Sequence, residues 1–532
     1  MRLGVARTAS PWLPPLPPRL TLDEVGVSGK AVFGLVDLPH QQAREPFCFD
    51  LDAAGHLHVV GSARAGRSQT LRSLAYALAT AYSCADLHLY GMDFGNGALQ
   101  ALTAFPHTGA VVDRTQVERL GRLLDRLTGA LTARQALLGE HGVADLTELR
   151  RRVPAADRPS HVVVLVDRVE VFDRDFAHHD QGSFVDRMAR LLRDGAGAGI
   201  HFILAGDRVL GAHRYVATTE DKILLRLNDR ADYAGFGVAK ATVPEQLPAG
   251  RGVRAADGSE VQIALAGGDP SGAAQAEALA ALGSGLRDRD REVPTARRAA
   301  RLEAIPDRLG FDEAWERRPP GTSPLWALVG VGGDDLTAVG PDLAVLPTFA
   351  VGGPPRSGRS TALLAMARSL LRAGSGLVVV SPRPSHLRSL AGNDGVVAVL
   401  TDPDVALSTF RDALRQVGLP TGVVVVDDAE QLVHSELEPD LTALSRGRAG
   451  AGWALVVAGD AEALSTGMSG WSAQVRRNRS GALLAPRSVL ESELVGARIP
   501  HGLLGPQPPG RGHLHLGDGR FVTVQVPEAG TE

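Results

Sequence analysis

Two eight-residue segments carry the chemistry most easily named in this chain. Gly61-Ser62-Ala63-Arg64-Ala65-Gly66-Arg67-Ser68 and Gly353-Pro354-Pro355-Arg356-Ser357-Gly358-Arg359-Ser360 both have the spacing of a phosphate-binding loop, G-x-x-x-x-G-[basic]-[Ser/Thr]. A glycine-rich turn between a strand and a helix aims several backbone N–H groups at one point beside the positive end of the helix, and phosphate binds there. Gly61, Gly66, Gly353 and Gly358 permit the turn, Ser68 and Ser360 offer a hydroxyl to Mg²⁺, and Thr361 follows the second loop. The usual lysine is arginine in both copies, Arg67 and Arg359. Arginine keeps the charge but replaces a compact point charge with a longer planar fork. ATP and Mg²⁺ are the cofactors expected, with impaired catalysis.

The acids that would complete such a site also come in pairs. Asp167 ends the apolar run Val162–Val166, and Asp427 ends Val423–Val426. A carboxylate at the tip of a buried strand suits the Walker-B role, holding Mg²⁺ through water beside Ser68 or Ser360; a helix-cap or turn aspartate is the structural alternative. An active ATPase of this kind places glutamate next in sequence, where this chain has Arg168 and Asp428. Arginine cannot act as the base, and aspartate is one methylene short. The catalytic candidates are therefore Asp167, Asp427 and Asp428. Glu170 and Glu430, three residues past each strand-end acid, are read as facing solvent or capping helices. Asp207 and Asp460 end a further strand, where a sensor residue would meet the γ-phosphate. A carboxylate there repels phosphate unless a cation neutralises it, so each is expected to pair with its own loop arginine. His178-His179-Asp180 is read as solvated surface, because adjacent residues do not converge on one point of a helix or strand.

These residues need a scaffold, and the repeat extends to it. Short apolar strands, His58-Val59-Val60 and Phe349-Ala350-Val351, run into the loops; helices with Leu71, Leu74 and Leu78, or Leu363, Met366 and Leu370, follow. Continuous Val/Leu strands alternating with helix-length segments predict an α/β fold, a parallel sheet covered on both faces. Both copies close on Pro-x-Gly-Arg-Gly and Asp-Gly, at Pro248–Gly252 with Asp257-Gly258 and at Pro508–Gly512 with Asp518-Gly519. The domains expected are 1–268 and 300–532, joined by a partly helical connector, 269–299.

Bulk composition narrows the classes. A chain of 532 residues is too long for one core. A net charge of -4 argues against a strongly basic nucleic-acid surface. Cys48 and Cys84, the only cysteines, are read as reduced thiols in a cytosolic chain. Met1 to Pro18 lacks the apolar run of a signal peptide, and no stretch reaches the ~18 apolar residues of a membrane span. A soluble chain is expected.

Gly199-Ile200-His201-Phe202-Ile203-Leu204-Ala205-Gly206-Asp207-Arg208 resembles the G-I-H-L-I-L-A-T-Q-R signature of the FtsK/SpoIIIE superfamily. Asp232–Gly237 followed by Pro248–Gly252 is similar to the tail of the same domain. The Trp12-Leu13-Pro14-Pro15-Leu16-Pro17 lead-in, weakly echoed at Ala304-Ile305-Pro306, resembles the second and third ATPase domains of EccC, the motor of type VII secretion, as does Met92-Asp93-Phe94-Gly95-Asn96-Gly97. Asp427-Asp428-Ala429-Glu430 is similar to the third domain's Walker B. The resemblance implies two tandem RecA-like P-loop NTPase domains and a cytoplasmic place beside a membrane secretion complex. It also implies partners: the motor's membrane subunits or a separate active ATPase, and small helical-hairpin secreted proteins carrying a C-terminal signal. Homo-oligomers are expected too, with Lys222, Arg226 or Arg479 nearest the family's inter-subunit arginine. The expected function is an ATP-binding regulatory or substrate-recognising module with weak or no hydrolysis. The alternatives are a DNA-binding FtsK-type translocase component and a nucleotide-free scaffold.

Overall fold

Strands that are apolar at every position must be covered on both faces, and the chain supplies that cover twice. The computed structural model describes residues 13–530 except 213, 220, 418–421, 447–451, 467–468 and 529; Trp12 of the lead-in lies outside the described residues. The chain divides into two compact units, Met1–Leu302 and Glu303–Glu532.

The first unit holds ten strands: β1 (Val32–Leu38), β2 (Ala43–Cys48), β3 (Leu57–Val60), β4 (Leu87–Asp93), β5 (Thr108–Asp113), β6 (His161–Asp167), β7 (Ile200–Gly206), β8 (Lys222–Leu225), β9 (Arg251–Arg254) and β10 (Glu260–Ile263). They form one sheet in the order β2-β1-β10-β9-β8-β3-β7-β6-β4-β5. The second unit repeats them as β11 (Gly330–Gly332), β12 (Thr337–Val339), β13 (Thr348–Gly352), β14 (Gly376–Val380), β15 (Val396–Leu400), β16 (Gly422–Val426), β17 (Trp453–Gly459), β18 (Gly481–Leu484), β19 (Arg511–His515) and β20 (Phe521–Gln525). Its order, β12-β11-β20-β19-β18-β13-β17-β16-β14-β15, is the first with every strand advanced by ten.

Each sheet is mixed rather than parallel throughout. The six strands from β8 to β5 run parallel, and β9, β10, β1 and β2 add antiparallel pairs. The reason is the short connection. Asp257-Gly258, with Gly258 at φ +73°, links β9 to β10 with no room for a crossover helix, and Asp518-Gly519 does the same between β19 and β20.

The apolar strands feed two cores each. Along β6, Val162, Val164 and Val166 join one buried cluster, while Val163 and Leu165 join the cluster on the opposite face. Along β16, Val424 and Val426 face one core and Val423 and Val425 the other. Each such side chain contributes about 2 kcal/mol of burial. The helix Arg67–Ala81 buries Leu71, Leu74 and Leu78 against its sheet, and Arg359–Arg372 buries Leu363, Met366 and Leu370 in the same way.

The stretch 269–299, expected as a connector, packs on the first unit. Its helix Gly272–Arg289 starts at a Ser271 cap, buries Leu279 and Leu286, and takes a 2.7 Å bond from Gln69 Nε2 on Gln275 Oε1.

Candidate functional site

Both phosphate-loop patterns lie between a strand and a helix. Gly66 caps the helix Arg67–Ala81 at φ +112°, and Gly358 caps Arg359–Arg372 at φ +102°. A Cβ on Gly66 would stand 3.0 Å from the Gly250 nitrogen, and one on Gly358 3.3 Å from Gly510, so both positions need glycine for backbone and for space. Gly61 N binds Gly206 O at 3.1 Å, tying the first loop to β7. The closing loop of each unit also reaches its phosphate loop: Gly250 N donates to Ala65 O at 2.9 Å, and Gly510 N to Ser357 O at 3.1 Å.

The strand-end aspartates lie beside the loop serines. Ser68 Oγ donates to Asp167 Oδ2 at 2.6 Å, and Asp167 is buried. Burial pushes its carboxyl up, against the Ser68 hydrogen bond, while Asp93 pushes it further. Asp427 is likewise buried and pushed up by burial, opposed by the hydroxyls of Ser360 and Ser385. Asp167 Oδ1 and Asp427 Oδ2 are buried with no hydrogen-bond partner among the described residues. Two orphaned carboxylate oxygens, each beside a loop serine, match the donor set that Mg²⁺ takes.

The loop arginines do not meet Asp207 or Asp460. Arg67 Nη1 lies 3.7 Å from Glu170 Oε1, and Arg359 Nη2 lies 3.5 Å from Asp428 Oδ1, with Arg359 Nη1 on Gly353 O at 3.0 Å. Asp207 accepts from Val209 N, and Asp460 caps the helix Ala461–Ser465 by accepting from Ala463 N. The expected pairing is overturned by reach: a strand-end aspartate is turned onto the free N–H groups of the turn or helix that follows it. Glu170 and Glu430 do not face solvent either. Glu170 also meets Arg168 Nε, and Glu430 Oε2 accepts from Asp460 N at 3.2 Å. Arg168 and Asp428, the residues after the strand-end aspartates, adopt left-handed backbone at φ +60° and +47°.

Four residues were not singled out by the sequence reading. Asp93 ends β4 opposite Asp167 in register and accepts from Gly95 N and Leu99 N. Ser385 stands in the loop after β14 beside Asp427. Arg251, and Arg511 in the second unit, lie in the repeated Pro-x-Gly-Arg-Gly; that repetition was the signal that could have singled them out. Thr361 occupies the register of Gln69. Lys222 Nζ binds Thr219 O, and the Arg226 carbonyl takes Ser62 N of the first loop. His179 packs between Phe176 and Phe184, and no cluster of three metal-ligating side chains occurs among the described residues. Among them, too, no helix is long and apolar enough to cross a membrane.

Residues 33–216 match the FtsK/SpoIIIE family. The chain is 29% identical over 97% of its length to the ESX-4 secretion system protein EccC4 of Mycobacterium tuberculosis, covering 42% of that protein. It spans less than half the length of such curated relatives. Among solved structures it is similar to EssC (ATPases 2 and 3) from Geobacillus thermodenitrificans, with a TM-score of 0.74, 20% identity and coverage of 97% of this chain and 100% of that one. It is also similar to Thermomonospora curvata EccC (ATPases 2 and 3) in complex with a signal sequence peptide, with a TM-score of 0.64, 23% identity and coverage of 98% and 100%. At those identities the structural likeness establishes the fold, two tandem P-loop domains matching ATPases 2 and 3 of those proteins.

Proposed function

Because this chain is homologous to the EccC and EssC ATPase domains of type VII secretion, we propose that it is the nucleotide-binding tandem module of a secretion motor of that kind, regulatory or substrate-recognising, with weak or no hydrolysis. One observation carries the reading: each loop arginine is engaged by a carboxylate of its own copy, Glu170 or Asp428.

Bound Mg-ATP would bring the phosphate charge that the loop N–H groups and arginines can receive. Ser68 with Asp167, and Ser360 with Asp427, are the residues to hold the metal. For Arg67 to turn to a phosphate, Glu170 must release it. No glutamate follows either Walker-B acid: Arg168 cannot act as a base toward an attacking water, and Asp428 is one methylene short of the reach an efficient ATPase uses. Loss of one positioned catalytic group costs about 10²–10⁴-fold, and turnover by the isolated chain is expected far below the ~1–100 s⁻¹ of efficient phosphoryl-transfer enzymes.

The partners proposed are the motor's membrane subunits or a separate active ATPase, with the chain on the cytoplasmic side of the membrane. A small helical-hairpin secreted protein would dock through its C-terminal signal, as an amphipathic helix in an apolar groove. The relative solved with a signal sequence peptide supports that class of partner. Calorimetry with Mg-ATP and Mg-ADP, together with steady-state turnover, tests the nucleotide reading; turnover in the efficient range would overturn it. Tight, salt-sensitive binding of duplex DNA without any peptide binding would instead favour a translocase component.

A further inference from the structure

The cavity at the first phosphate loop, about 550 Å³, has two kinds of wall. Arg64, Gly66 and Arg67 of the loop form one part, and Pro18 and Arg19 of the lead-in form another, with Leu265 and Pro270 beside them. Leu16 and Leu20 of the lead-in are buried, and Leu265 N donates to Leu20 O at 2.8 Å where the segment leaves the cavity. Pro17 and Pro18, before that anchor, have no N–H, so along this stretch the carbonyls are the backbone groups left to grip.

Arg251 grips them. Its Nη2 donates to Leu16 O at 2.7 Å and Pro17 O at 3.1 Å, and its Nε donates to Gln262 Oε1 at 2.8 Å; the residue is buried. The preceding residue, Gly250, donates its N–H to Ala65 of the phosphate loop. Two consecutive residues thus tie one wall to the other. The second unit repeats the arrangement: Arg511 Nη2 donates to Ile305 O at 3.1 Å and Pro306 O at 2.9 Å, its Nε to Gln525 Oε1 at 3.0 Å, and Gly510 N to Ser357 O. The same bonds recur although the lead-ins differ in sequence, Leu16-Pro17-Pro18 against Ile305-Pro306-Asp307.

We propose that Arg251 is a positioning residue of the first nucleotide site, holding the lead-in as the wall that receives the nucleoside rather than the phosphates, and that Arg511 has the same task in the second unit. The inference rests on the reading that the first loop binds nucleotide. Only a planar fork can hold two successive carbonyls and a glutamine at once, so lysine should serve in part.

The test is calorimetry on the full chain carrying R359A to silence the second loop, titrated with Mg-ATP and separately with magnesium tripolyphosphate, which has no nucleoside. R251M should weaken ATP about ten-fold, the loss of two charge-assisted hydrogen bonds, and R251K about three-fold, with tripolyphosphate unchanged for both. Amide exchange over residues 13–20 should rise in R251M without any nucleotide. R19A, an exposed change in the same wall, should weaken ATP alone and leave the melting temperature unchanged. Equal loss of ATP and tripolyphosphate in R251M, or unaltered ATP affinity, overturns the proposal. If R251M fails to fold, unaltered ATP affinity in R19A overturns it instead. Binding of neither ligand before the Arg251 change refutes the nucleotide reading itself.

Discussion

The two loop arginines keep the charge of a phosphate-binding residue while a neighbouring carboxylate occupies it. At 3.7 Å and 3.5 Å the contacts with Glu170 and Asp428 are ion pairs of modest strength, with all four side chains less than a fifth exposed. Such a carboxylate competes with an incoming phosphate for the same cation. E170Q should therefore tighten Mg-ATP binding at the first loop about five-fold, equivalent to about 1 kcal/mol, without raising turnover. D428N should do the same at the second. Titration calorimetry reads both, and weaker binding in E170Q would show that the pair supports the bound state instead of opposing it. Asp167 and Asp427 make a different point. Each is buried with an unsatisfied oxygen, which a protein rarely tolerates where nothing is to be bound.

At the scale of elements, the phosphate loop is held from three sides: by β7 through Gly61, by the helix that starts at Arg67, and by the closing loop through Gly250. Gly66 is the meeting point. A side chain there must adopt φ +112° and press its Cβ against the Gly250 nitrogen. G66A should cost about 2 kcal/mol of stability in the first unit and abolish nucleotide binding at that loop. Thermal melting and calorimetry check the two effects separately, and full ATP affinity in G66A would show that the loop does not bind in this conformation. G358A is the matching change in the second unit, where Gly510 crowds the same place.

At the scale of the molecule, the two units share a plan but differ in their buried histidines. In the first unit burial lowers His88, His107 and His201 from 6.5 to about 4 and His161 to about 2, with His161 and His201 3.3 Å apart. In the second unit His513 is lowered to about 4. A histidine depressed in the folded state leaves the unfolded chain to take up the proton first. Stability is therefore undisturbed above about pH 6.5 and is lost as pH falls toward 4, by up to about 1.4 kcal/mol per pH unit for each such histidine. With His56 and His179 lowered by burial as well, the first unit has six such histidines against one among the described residues, and it should lose its melting transition earlier on acidification. Scanning calorimetry of the full chain at pH 7.5 and pH 5 reads this. Equal shifts of both transitions, or the second unit failing first, would contradict it.

Much of this protein was legible in its residues alone, because the features concerned are local. A phosphate loop is a contiguous pattern, and a strand buried on both faces must be apolar at every position, so Gly61–Ser68, Gly353–Ser360 and the runs ending in Asp167 and Asp427 could be read directly. The repeat could be read too, since it preserves the order of such patterns. Ion-pair partners could not. Glu170 and Asp428 reach the loop arginines, and Asp207 and Asp460 do not, because the backbone after each strand turns one carboxylate toward the loop and the other onto its own N–H groups. The antiparallel half of each sheet and the grip of Arg251 on Leu16 and Pro17 were equally hidden. The Arg251 contacts join residues more than two hundred positions apart, and only the closed tertiary structure brings them within hydrogen-bonding distance.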